Sequence, residues 1–138
     1  MLTDEDTLVK SLLEVNRLYR PDGQPVMFDL QLEAEMLGCE LTWKEGTLPS
    51  VSSHPLAEDR TVPCRCKLPR PDQGRLPIVL NAMRRMKKEV GDTTALYGLI
   101  CGPFTLAFHL RGNNLLMDMY DDEDYVSELL GYCMECGK

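Results

Sequence analysis

Ala95-Leu96-Tyr97-Gly98-Leu99-Ile100 runs through Cys101-Gly102-Pro103 into Phe104-Thr105-Leu106-Ala107-Phe108-His109-Leu110-Arg111. The first six residues are apolar throughout, the pattern of a strand covered on both faces, as parallel strands tend to be. Gly102-Pro103 breaks that run, and the residues from Phe104 to Arg111 read as a helix. Gly112-Asn113 interrupts it, and Leu115 to Tyr120 continues as a second short helix. A strand that feeds directly into a helix is half of a β–α–β unit. The junction therefore points to an α/β fold with parallel strands and right-handed crossovers.

Upstream, Arg75 to Val90 carries the clearest helical pattern. Leu76, Val79, Leu80, Met83 and Met86 share one face, and Arg84, Arg85, Lys87 and Lys88 stay in water. Gly91 ends it. Further back, Pro25-Val26-Met27-Phe28 reads as a short buried strand with Asp29 at its end. The helix after it, Gln31 to Leu37, closes on Gly38, where a left-handed backbone favours glycine. The first helix is expected from Thr3, as N-cap, to Tyr19, with Leu8, Leu12, Val15 and Tyr19 at helical spacing. Arg20-Pro21-Asp22-Gly23 supplies the turn that stops it. Cys39 to Trp43 alternates like a strand. Lys44 to Gly74 has no sustained period and holds five of the nine prolines, at 49, 55, 63, 69 and 71. A loop of that length is functional or lies as an arm over a neighbouring surface. Downstream, Asp121-Asp122-Glu123-Asp124 opens a last helix through Cys136. Two or three strands make a poor sheet, and the element order starts and stops on helices. The expectation is a segment of a larger α/β fold, incomplete at both ends.

Composition sets the outer limits. A chain of 138 residues with 43% hydrophobic and 27% charged residues is globular. Its net charge of −7 disfavours nucleic acid, whose phosphates call for Lys and Arg. No apolar run approaches the roughly 20 residues of a membrane span. The acidic start, Met1-Leu2-Thr3-Asp4-Glu5-Asp6, does not read as a signal peptide, so the expected compartment is the cytoplasm. Acidic residues cluster over Asp4–Asp6 and Asp118–Asp124, and both clusters read as helix starts favoured by the dipole. The six cysteines, Cys39, Cys64, Cys66, Cys101, Cys133 and Cys136, are expected to be reduced. Cys64-Arg65-Cys66 has one intervening residue, too few for a zinc knuckle. Cys133-Met134-Glu135-Cys136 has the local spacing but falls in a helix, so no metal is assigned.

Asp29 is the leading candidate for chemistry. In parallel α/β folds the carboxyl ends of strands face the ligand, and a carboxylate there binds a cationic group or stabilises positive charge. The competing reading is that Asp29 caps the Gln31 helix. Glu33 is expected to face inward and bond a neighbouring loop, and Glu35 to be solvated. Gly98 and Gly102-Pro103-Phe104-Thr105 form either an anion-holding junction or a tight turn that places a helix. There is no phosphate-loop lysine and no complete dinucleotide fingerprint. His109 reads as a packing histidine, and His54 has no partner at metal spacing. The methionines at helical spacing read as core.

Two segments in order resemble one family. The first is Phe28-Asp29-Leu30-Gln31-Leu32-Glu33-Ala34-Glu35-Met36-Leu37-Gly38-Cys39, the second Tyr97-Gly98-Leu99-Ile100-Cys101-Gly102-Pro103-Phe104-Thr105-Leu106-Ala107. Together with Gly74-Arg75 and Asp122-Glu123-Asp124, they are similar to the uroporphyrinogen decarboxylase superfamily, which includes the methylcobamide:coenzyme M methyltransferases. The resemblance implies a partial (β/α)8 barrel, part of the N-terminal half of a chain more than twice this length. It implies that Asp29 is catalytic, and that Phe28, Gln31, Gly102, Pro103 and Phe104 bind substrate. The Gln-Ala-Gly-Arg region of the decarboxylases is absent. The methyltransferases' His-x-Cys and later Cys, their zinc ligands, match none of the six cysteines.

Glu33-Ala34-Glu35 and Gly102-Pro103-Phe104-Thr105 look closer to the methyltransferase branch, in which a thiol takes a methyl group from a corrinoid protein. The alternatives are a decarboxylase of porphyrin biosynthesis acting on a tetrapyrrole, and a non-catalytic half-barrel acting by association. On the first reading the segment holds no cofactor, and zinc belongs to a full-length parent. The isolated chain is expected to be inactive, and to pair with the rest of a barrel or with a second copy as a homo-oligomer.

Overall fold

Asp4, one residue later than expected, starts helix α1 (Glu5–Tyr19). Its carboxylate accepts from the Thr7 amide at 2.8 Å, and Glu5 and Asp6 in the first turn complement the exposed N–H groups. Thr3 lies too early to reach those amides. Arg20 ends the helix in a left-handed conformation, φ 46° and ψ 54°. The computed structural model describes residues 2–138 and divides into two units, residues 2–29 with Pro71–Leu99 and Leu30–Arg70 with Ile100–Lys138.

The first unit pairs β1 (Gly23–Pro25) in parallel with β4 (Ala95–Tyr97), in register Gly23↔Ala95, Gln24↔Leu96 and Pro25↔Tyr97. The ladder is flanked by bonds from Ala95 N to Asp22 O and from Val26 N to Tyr97 O. Because N–H direction alternates along a strand, Pro25 points its missing donor away from β4 and costs no ladder bond. The expected strand at Pro25–Phe28 thus lies two to three residues earlier, set by the Asp22 turn. Helix α3 (Leu76–Val90) packs against α1 and β4. Leu8 and Val9 of α1 and Ala82 and Met86 of α3 are buried.

The expected α1 face was set too far round the helix: Val15 is 43% and Tyr19 76% exposed. What fixes that end instead is polar. Asn16 Nδ2 donates to Gln24 Oε1 (2.9 Å) and Thr94 Oγ1 (3.0 Å), and Gln24 Nε2 donates to Leu12 O (2.9 Å). Gln24 and Thr94 are buried, so the satisfied network ties α1 to β1 and to the residue that precedes β4. β4 is not the covered strand that its composition suggested. It ends at Tyr97, which is 47% exposed, and Ile100 beyond it is 62% exposed.

The second unit holds α2 (Leu32–Met36), the antiparallel pair β2 (Leu41–Thr42) and β3 (Ser50–Val51), α4 (Pro103–Arg111), α5 (Asn114–Asp121) and α6 (Glu123–Cys136). α2 is shorter than expected, and Gly38 does take a positive φ of 100°. The β2–β3 hairpin and a 3-10 turn at Arg65–Lys67 break up the stretch expected to be irregular. Leu106, Leu110, Leu115, Leu129 and Cys133 are fully buried in the core of this unit.

Asp118 does not begin a helix. It is buried within α5, where Arg111 donates to its carboxylate through Nε (2.6 Å) and Nη2 (3.3 Å). Arg60 Nη2 adds a contact at 2.8 Å. The same Arg111 donates to the carbonyls of Leu56 and Ala57 and lies over the Tyr125 ring, 5.8 Å from its centroid. One guanidinium therefore fastens the loop around Leu56 to α5 and α6. Gly112 makes the approach of that loop feasible. Its φ is +69°, and a Cβ there would lie 2.9 Å from the His54 ring.

Candidate functional site around Asp29

Asp29 lies three residues beyond Val26, which closes the β1 ladder at its carboxyl end. That is the edge of a parallel sheet where ligand sites form. Its side chain is fully buried, and Oδ2 accepts from Arg75 Nη1 at 2.6 Å. Arg75 is 10% exposed at its side chain and sits at the N-cap of α3, directly before Leu76 and Pro77. The proline belongs there: its absent N–H is one that the first helical turn leaves without an intrahelical partner. The strand end and the helix start of the first unit are thus joined by a buried, charge-assisted bond.

Asp29 does not cap α2. Gln31 occupies the N-cap of that helix and makes no side-chain cap bond. In the sequence Arg75 figured only as the opener of its helix and in the Gly74-Arg75 part of the resemblance, with no site role. It lies nine residues before the basic run that begins at Arg84, toward the opposite end of the helix.

Phe28, beside Asp29 in the first unit, is 57% exposed and so available to a ligand. Gln31, Gly102, Pro103 and Phe104 belong to the second unit. There Gly102 is the extended N-cap of α4 and Pro103 its first residue, while Phe104 is 46% exposed. Helices α2 and α4 pack together, and Glu33 secures the junction by accepting from the Cys101 amide at 3.2 Å. Glu33 therefore faces inward onto a neighbouring loop, as expected, whereas Glu35 is half-buried rather than solvated.

Cys39, Cys101 and Cys133 of the second unit are buried, and the His109 ring is half-buried. Burial, with Glu33 and Cys136 nearby, pushes the Cys101 thiol up to about 12. Burial does the same for Cys133, also about 12, and for Cys39, about 11. Burial, and then the neighbouring His54, lowers the His109 pKa. The His109 carbonyl accepts from Cys39 Sγ (3.3 Å) and His54 Nδ1 (2.7 Å), which places the His54 proton on Nδ1. His109 is a packing residue. An open recess of about 290 Å³ on α5 and α6, lined by Met119, Glu123, Val126, Ser127 and Leu130, contains none of the candidate residues. Among the described residues no three His, Cys, Asp or Glu side chains gather as metal ligands. They do not fit the zinc of the methyltransferase branch.

A parallel strand pair with α/β order and a carboxylate at the strand's carboxyl end defines the class, a segment of a parallel α/β fold. The profile of the uroporphyrinogen decarboxylase (URO-D) family matches residues 1–137, and the chain belongs to that family. A methylated-thiol–coenzyme M methyltransferase of Methanosarcina mazei is 36% identical over 62% of this chain and 23% of its own. The methylcobamide:CoM methyltransferase MtbA of the same organism is 32% identical over 80% of this chain and 32% of its own. A uroporphyrinogen decarboxylase of Sorangium cellulosum is 29% identical over 83% of this chain and 34% of its own. The chain thus spans between about a quarter and a third of the length of these relatives. A solved methyltransferase from Methanosarcina mazei superposes with a TM-score of 0.84 at 24% identity, over 97% of this chain and 40% of the other, and shares its fold.

Proposed function

We propose that this chain forms part of a methyltransferase of the corrinoid-dependent branch, moving a methyl group from a corrinoid protein to a thiol. The observation that carries the reading is the pair of methyltransferase relatives at 36% and 32% identity, the latter spanning 80% of the chain. In such a transfer the thiolate lone pair forms the new S–C bond, the cobalt–carbon pair stays on the corrinoid, and the thiol proton is released. Zinc, where a longer protein supplies its ligands, would favour the thiolate. The role open to this chain is positioning. The Asp29–Arg75 bond fixes the carboxyl end of β1 against the start of α3, next to exposed Phe28. A small misplacement at such an edge costs orders of magnitude in rate.

The second reading is uroporphyrinogen decarboxylation, favoured by the family match and by the Sorangium relative. It needs the Asp29 carboxylate to meet pyrrole N–H groups, and the buried pair with Arg75 would have to open first.

The test uses the protein encoded by the complete reading frame around this segment. Methyl transfer from a methylcobamide to coenzyme M and decarboxylation of uroporphyrinogen are assayed side by side. Thiol methylation, with a His-x-Cys and a later Cys in the frame, is the expected result. Decarboxylation without methyl transfer would overturn the proposal.

A further inference from the structure

Four of the six thiols are buried or half-buried, whereas Cys64 and Cys66 are exposed. Cys64-Arg65-Cys66-Lys67 sits on the 3-10 turn Arg65–Lys67 of the second unit, with both cysteines exposed. Cys64 Sγ accepts from the Cys66 amide at 3.2 Å, so the two residues are already curled toward one another. Arg65 lies between them and Lys67 follows, and Tyr132 and Glu135 of α6 are near enough to feel the charges of this turn. The pair is asymmetric. Hydrogen bonds from Cys66, thiol first and amide second, with the Lys67 charge, lower the Cys64 pKa, while the same thiol bond raises that of Cys66. Burial holds Cys39, Cys101, Cys133 and Cys136 at about 11 to 12.

An exposed thiol with a favoured thiolate, basic neighbours and a second thiol one residue away has the parts that disulfide exchange requires. We propose that Cys64 and Cys66 form a thiol–disulfide exchange site for small, low-molecular-weight disulfides, with Cys64 attacking and Cys66 resolving. The Cys64 thiolate forms a bond to one sulfur of the small disulfide and expels the other as a thiolate, which takes up the Cys64 proton. Cys66 then attacks Cys64 Sγ, expels the second small thiol with its own proton, and leaves a Cys64–Cys66 disulfide. The small disulfide is the oxidant; it is reduced to two thiols as the protein pair is oxidised. The site is independent of Asp29 and of the methyl-transfer reading.

The experiment treats the folded, fully reduced chain with the chromogenic disulfide dithiobis(nitrobenzoate), and separately with oxidised glutathione. The expected result is a fast phase releasing two chromogenic thiolates per chain, at least ~10-fold faster than the remaining thiols. The protein should then lose only the mass of two hydrogens, and peptide mapping should link Cys64 to Cys66. Cys66→Ser should release one thiolate quickly and keep a stable adduct on Cys64. Cys64→Ser should abolish the fast phase. A lasting adduct on the wild-type chain would overturn the proposal, as would a fast phase that survives Cys64→Ser. Either variant can be checked for retained fold by circular dichroism, because both side chains are exposed.

Discussion

Asp118→Asn tests whether the Arg111 clasp holds the second unit together. The substitution keeps shape and removes one charge. Arg111, 6% exposed at its side chain, would keep its carbonyl contacts but lose its buried counter-ion. Removing one partner of a buried pair costs about 3–5 kcal/mol, a large part of the ~5–15 kcal/mol that holds an ordinary domain folded. Arg111→Met should cost at least as much. It leaves Asp118, 1% exposed, with only the half-exposed Arg60, and deprives the Leu56 carbonyl of this donor. The unmet carbonyl adds ~1–3 kcal/mol. Ala57 suffers less, since Asn114 Nδ2 also donates to its carbonyl at 2.9 Å. The double variant Arg111→Met/Asp118→Leu should recover more than ~2 kcal/mol of the summed losses, because it leaves no buried charge behind. Trp43, the chain's single tryptophan, lies just after β2 in the same unit and reports its unfolding in urea by fluorescence. If both single variants unfold within about 0.5 kcal/mol of the parent, the range of an ordinary surface change, the clasp does not hold the loop and the reasoning fails.

Three further outcomes are expected. The Asp118 carboxyl is held below the usual carboxylate range by the Arg111 hydrogen bond first, against burial, and then by the charges of Arg111 and Arg60. A depressed folded pKa means that its stabilisation is complete above the unfolded value near ~3.9 and is lost as pH falls through the lower folded value. Urea midpoints measured down that acid limb should therefore fall less steeply for Asp118→Asn than for the parent. Gly112→Ala should destabilise by more than the ~1–3 kcal/mol of its backbone strain, because the new Cβ meets the His54 ring at 2.9 Å. Adding His54→Ala should shrink the loss, and an unchanged loss would show that backbone strain alone accounts for it. The 138-residue chain by itself should catalyse neither methyl transfer nor decarboxylation and should self-associate through exposed apolar residues such as Phe28, Tyr97 and Ile100. Turnover in the absence of any other polypeptide, or a monomer by light scattering at high concentration, would count against this.

Local signals in the sequence carried the secondary structure. Pro77 and Pro103 fall in the first turns of α3 and α4, Gly38 takes the left-handed position after α2, and Gly112 separates α4 from α5. Each of these acts within a few residues, where spacing is informative. The errors were of range. The apolar run Ala95–Ile100 looked doubly covered, but apolarity alone does not reveal what lies against a strand. The β2–β3 hairpin escaped because two-residue strands are too short to show a period. Asp118 was read with the acids around it because sequence proximity hides burial. What sets it apart is a guanidinium seven residues away, whose carbonyl contacts lie more than fifty residues upstream.

Asp29 shows the same limit at the site. Position at a strand's end and membership in a motif both marked it, and neither named its partner, which is forty-six residues on. That partner changes the chemical expectation. A carboxylate exposed at the rim would suit a substrate donor, whereas one buried against Arg75 first has to keep β1 and α3 in place. The two roles separate experimentally in the protein of the full reading frame. If Asp29 positions through Arg75, Asp29→Asn and Arg75→Met should lower activity by similar factors, and their combination should cost little more than either alone. If Asp29 itself meets the reacting group, Asp29→Asn should be much the more severe and Arg75→Met much the milder.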